Sequence, residues 1–221
     1  MARNVLRAPG LRGLTALALL FCSLPSSAGA LPLISEVLYD AVGSDDGRGF
    51  VEIYGIPGTA LDGLRVEGVN GAGGGIGPVL ALTGAIPADG FFVVADDLAG
   101  GPTLVANADL ILNFDFQNGP DSIVLRSDAA VLDALGYGLF LPGDVFAGEG
   151  SPAPDAPADA SLARILADVD TDDNALDFVV LATPTPGTGD LAPVPEPATA
   201  ALVGLGLAGL GACGRRPRAR V

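Results

Sequence analysis

From Leu33 to Tyr137 the chain is written in short apolar runs, mostly of period two and cut by turn formers, a pattern that admits strands and not helices. Leu33, Ser35, Val37 and Tyr39 share one strand face, and Ile34, Glu36 and Leu38 share the other. Further runs stand at Phe50–Tyr54, Leu64–Val69, Val79–Leu82, Phe91–Ala95, Leu110–Leu112, Ser122–Leu125 and Val131–Tyr137. Between them lie Gly43-Ser44-Asp45-Asp46-Gly47, the glycine stretch from Gly71 to Gly77, Ile86-Pro87-Ala88-Asp89-Gly90 and Asn118-Gly119, all turn chemistry. A proline-rich loop, Ser151 to Pro157, precedes a final strand at Phe178–Leu181, and a short helix is expected near Ala160 to Leu166. Many short strands with turns between them predict an all-β sandwich. One face of each strand should feed the core and the other should carry carboxylates.

Residue usage removes whole classes of function. The chain has 221 residues and contains no His, Trp or Lys. Without His there is no Ser-His catalysis and no His-metal site. The two cysteines, Cys22 and Cys213, lie outside the strand-bearing region, so no disulfide framework or thiol chemistry is expected there. All 26 acidic residues fall between Glu36 and Glu196, against Arg48, Arg65, Arg126 and Arg164 in the same span. Such a surface repels phosphate backbones, so nucleic acid is not an expected partner. It suits a soluble extracytoplasmic domain, or one that meets divalent cations.

The two ends read as targeting segments. Arg3, Arg7 and Arg12 precede the apolar run Leu14–Leu24. Pro25-Ser26-Ser27 breaks that run, and Ala28-Gly29-Ala30 supplies small residues for cleavage. This is the order of a secretory signal peptide, with signal peptidase expected to cut after Ala30. At the other end, Ala198 to Gly214 carries no charge, and Arg215, Arg216, Arg218 and Arg220 follow at once. A single transmembrane helix in the inner membrane is expected there, with the arginines cytoplasmic and the domain outside. Gly204-Leu205-Gly206-Leu207-Ala208-Gly209 matches a dinucleotide fingerprint but lacks the strand, the following helix and the distant acid that such a site needs. Small residues that let membrane helices pack closely are the simpler reading. No cofactor is expected.

Val194-Pro195-Glu196-Pro197, then the apolar stretch, then clustered arginine, resembles the PEP-CTERM sorting signal of Gram-negative bacteria. The resemblance implies processing by an exosortase-type membrane protease; a plain membrane anchor is the alternative. Leu33–Asp40, Phe50–Tyr54, Gly63–Val66, Ile86–Val94, Asn118–Leu125, Asp177-Phe178 and Thr183–Gly187 together resemble a lamin tail domain in its bacterial form. That resemblance implies an immunoglobulin-like β-sandwich and an interaction module with no shared catalytic residues. The expected organisation is a signal peptide at 1–30, a sandwich at 31–182, a Pro/Gly linker at 183–193 and the sorting tail at 194–221.

Two constellations could carry chemistry. Asp168, Asp170 and Asp172 have the D-x-D-x-D spacing that can wrap a hard cation, so calcium is one reading and a solvated acidic loop the other. An EF-hand is excluded, because Asp173 and Val179 stand where Gly and a bidentate Glu are required. Asp40, Asp45, Asp46 and Glu52 flank the first turn, where paired carboxylates could serve glycoside hydrolysis or simple turn chemistry. The leading expectation is a non-enzymatic surface module, anchored in the membrane and then placed at the cell surface or in the extracellular matrix. There it would bind protein or polysaccharide. A calcium-dependent adhesion domain and a secreted hydrolase are the alternatives.

Overall fold

The computed structural model describes residues 31–193. The signal helix and the transmembrane helix expected from the sequence lie outside the described residues. Among the described residues no helix is long and apolar enough to cross a membrane.

Among the described residues, ten strands make two sheets, and one short helix accompanies them. The strands are β1 (Leu33–Leu38), β2 (Phe50–Tyr54), β3 (Arg65–Asn70), β4 (Ile76–Ala81), β5 (Phe91–Asp96), β6 (Ala108–Leu112), β7 (Asp121–Arg126), β8 (Val131–Tyr137), β9 (Ser161–Arg164) and β10 (Phe178–Leu181). The helix, α1 (Asn174–Asp177), immediately precedes β10. One sheet runs β10-β9-β1-β2-β5-β6 and the other β4-β3-β7-β8. All pairs are antiparallel except β5 with β6. The inner faces meet in one core, with Ile34, Ile53 and Val94 from the larger sheet against Val66, Leu125 and Leu135 from the smaller. The expected all-β sandwich is therefore the observed architecture.

The helix expected near Ala160 to Leu166 is instead strand β9. Ser161–Arg164 sits between β1 and β10, pairing Leu162 with Val37 and with Val180. Ala, Leu and Arg favour helices, but four residues gain more from two flanking strands than from a single unsupported helical turn.

The expected alternation of core and carboxylate faces also fails in the larger sheet. Every residue of β1 and of β5 is buried. The reason is a second layer on the outer face. Residues 98–106 and 183–190 cover it, and Leu38, Phe50, Val93 and Val105 form a small apolar cluster beneath. The proline-rich loop likewise folds inward: Ala153 and Ala156 are buried, Tyr39 and Tyr137 stack with centroids 4.1 Å apart, and the Tyr39 hydroxyl donates to Asp155 and accepts from the Ala156 N–H.

Candidate functional site

The register of β1 on β2 sets Glu36 opposite Glu52, so two carboxylates lie side by side on one face of a sheet. Each is 1% exposed. Three of the five hydrogen bonds they accept come from the segment expected to be a linker. Glu36 Oε1 accepts from the Ser161 hydroxyl at 2.5 Å and the Thr185 N–H at 2.9 Å, and its Oε2 accepts from the Thr185 hydroxyl at 2.8 Å. Glu52 Oε1 accepts from the Ser35 hydroxyl at 2.7 Å and its Oε2 from the Gly187 N–H at 2.5 Å. Asn107 adds a bond to the Pro186 carbonyl. Residues 183–190 are thus a strap, latched across β1 and β2 by two glutamates.

Glycine is required at the latch. Gly187 has φ +88°, and a Cβ there would lie 2.7 Å from the Asn107 amide nitrogen. Beneath the strap is a cavity of about 400 Å³, with Ser35, Glu36, Glu52, Arg164 and Thr185 in its walls. Burial pushes the Glu52 carboxyl up to about 7, opposed by its bonds from Ser35 and Gly187 and helped by the neighbouring Glu36. Both carboxylates spend their acceptor sites on the protein itself.

A second polar centre is built around Arg164, whose side chain is 1% exposed. Its guanidinium donates to both oxygens of Asp133, at 2.9 and 2.8 Å, and to Asp177 at 3.0 Å. It also reaches Asp170 at 3.3 Å and the carbonyls of Ile34 and Val169. Phe178 lies under it, 4.7 Å from ring centroid to guanidinium carbon. The buried Asp133 carboxyl is raised by desolvation and held down by Arg164 and the Ile34 N–H. Glu149, pushed up to about 8 by burial and by the charges of Asp133 and Asp170, keeps its proton at neutral pH.

Of the three aspartates expected to hold calcium, two are joined, Asp170 accepting the Asp172 N–H at 3.1 Å. Asp168 accepts the Ala192 N–H, Asp170 turns to Arg164, and Asp172 is exposed at φ +55°. Among the described residues, the carboxylates that converge are Asp133, Glu149 and Asp170, with ligand atoms within 4.8 Å of one another. The positive charge beside them is Arg164. Of the first-turn acids, Asp45 accepts the Ala41 N–H at 2.6 Å, which is turn chemistry, while Glu52 on β2 accepts from the strap.

Two residues carry the site without having stood out in the sequence. Arg164 could have been flagged as one of only four arginines in an acidic region. Asn174 had no such signal. Fully buried at the start of α1, its side-chain oxygen accepts from the Gly136 and Glu149 N–H groups, and its amide donates to the Ala134 carbonyl. Asp173 caps the helix by accepting from the Ala175 N–H. The acidic loop therefore clamps β8 to β10.

The strap leads directly into the C-terminal segment. A family model for the PEP-CTERM protein-sorting motif matches residues 193–216. The chain carries that motif. It implies export, membrane anchoring before processing, and sorting by an exosortase-type system. The lamin tail resemblance has no matching family model. Neither the curated proteins nor the solved structures give a match to the chain.

Proposed function

We propose that this protein is an exported, non-enzymatic interaction module, delivered to the envelope or extracellular matrix of a Gram-negative bacterium by its sorting tail. A signal peptide at 1–30, cut after Ala30, starts the route. A transmembrane helix within 198–214 holds the chain until an exosortase-type protease acts near Pro195-Glu196-Pro197. The sandwich, an immunoglobulin-like domain of lamin-tail type, then presents its surface to protein or polysaccharide.

One observation carries the non-enzymatic reading. The buried ionisable groups Glu36, Glu52, Asp133 and Arg164 are bonded to the sandwich's own chain, so recognition falls to the exterior. A calcium-dependent adhesion domain is the second reading, on the spacing of Asp168, Asp170 and Asp172. It is the weaker one, because Asp170 already serves Arg164.

Mass spectrometry of the mature protein tests the routing. A mature chain beginning at Leu31 and lacking Arg215 to Val221 is expected from an exosortase-bearing host, and the intact tail from a host without the protease. Retention of residues 1–30 on the mature protein, or identical C-termini in the two hosts, would overturn it.

A further inference from the structure

The sandwich receives and releases the chain at the same end. β1 begins there at Leu33, opposite Tyr54, and β9 ends there at Arg164, opposite the start of β10. Residues 165–169 continue at that end, and the outgoing chain returns to them. The Ala167 N–H donates to the Asp190 carbonyl at 2.7 Å, and the Ala192 N–H donates to Asp168 at 2.7 Å. The fold therefore holds its chain up to Ala192.

That end carries exposed apolar side chains among carboxylates. Leu31 is 57% exposed, Ile165 48%, Leu176 66% and Leu191 45%. Ile165, Leu166, Val169 and Leu176 line one shallow hollow of about 140 Å³. Isolated exposed apolar residues are ordinary on a protein surface, but Ile165 and Leu176 share this hollow, and grouped apolar residues mark a contact. The length of the tether names the contact. From Ala192 to Ala198, where the uncharged stretch begins, there are six residues. Fully extended they reach at most about 20 Å, roughly the length of one six-residue strand. While the sorting tail is in the bilayer, the point where the fold releases its chain stays within about 20 Å of the lipid.

We propose that this end is a lipid-facing surface: Leu31, Ile165, Leu176 and Leu191 rest in the interfacial layer of the membrane that the tail anchors. The inference depends on that anchoring. Asp168, Asp172, Asp173 and Asp190 rim the patch, and Arg164 is buried. The fitting surface is accordingly zwitterionic, since anionic headgroups repel that rim.

The test uses residues 31–221 with Cys213→Ser, so that one introduced cysteine carries a fluorophore. Leu176→Cys reports the proposed face. Val42→Cys reports the opposite end, beyond the end of β1, where Val42 is 61% exposed. The labelled chains are reconstituted in phosphatidylcholine vesicles containing a lipid with a quencher near its headgroup. Co-flotation with the vesicles is expected for both, with several-fold stronger quenching at position 176 than at position 42. Co-flotation with equal quenching at the two positions would overturn the docked face alone. Failure to co-float would remove the anchoring and the docked face with it.

Discussion

At the scale of the residue, Arg164 decides more than any other side chain. It neutralises Asp133 and Asp177 inside the protein, where both carboxylates are closed off from solvent. Removing one partner of a buried ion pair leaves an uncompensated charge, at a cost of about 3–5 kcal/mol. Arg164→Ala should lower stability by that order in a urea titration, with loss of the folded baseline if the domain is marginal. Arg164→Lys should rescue only part, because a single ammonium cannot replace three nitrogens that donate separately to Asp133, Asp177 and the Ile34 carbonyl. The glutamates give a signature in pH. The Glu52 carboxyl sits at about 7 and the Glu149 carboxyl at about 8, both above the ordinary value of 4.5. Between 4.5 and these values the folded state binds more protons than the unfolded state. Stability must therefore fall as pH rises through that window. Glu52→Gln should flatten the fall up to about pH 7, and Glu149→Gln the part that extends to about pH 8, read from urea midpoints across a pH series.

At the scale of the element, the strap 183–190 behaves as part of the sandwich. It supplies three of the five hydrogen bonds that the buried Glu36 and Glu52 accept, the others coming from Ser161 and Ser35. A chain ending at Thr183 should melt well below one ending at Pro193, and a protease of broad specificity should leave 184–190 uncut in the longer chain. Equal melting temperatures would mean that the strap contributes nothing. Gly187→Ala should reproduce part of the loss, since it meets both a positive φ and the Asn107 side chain. Strand β9 belongs to the same account. Its helix-favouring residues pair as a strand because the slot between β1 and β10 leaves no room for a helical turn's radius.

At the scale of the whole molecule, the architecture joins a self-sufficient domain to a removable route. The sandwich bonds its own charged interior, and the tail that directs it is spliced on directly after the last tied residue, Ala192. Sorting of a fusion in which 194–221 is transplanted onto an unrelated secreted domain should depend on the same protease. Deleting 194–221 from this chain should release the sandwich from the membrane, still folded by circular dichroism. The acidic surface helps keep such a released domain soluble.

The sequence by itself determined the features that depend on neighbours in the chain. Period-two runs and turn residues marked nine of the strands in their places, because alternation and turn chemistry are local properties. Val194 to Pro197, the uncharged stretch and the arginines marked the sorting tail for the same reason: the motif is read in linear order. Tertiary structure decided what depends on residues far apart. Arg164 meets Asp133 across 31 positions and Glu36 meets Thr185 across 149. No periodicity records such meetings, so neither the contacts of the acidic loop with Arg164 nor those of residues 183–190 with the two glutamates could be read in advance. Buried charges need partners wherever the fold can bring them, and only the packed sheets fix which partners those are.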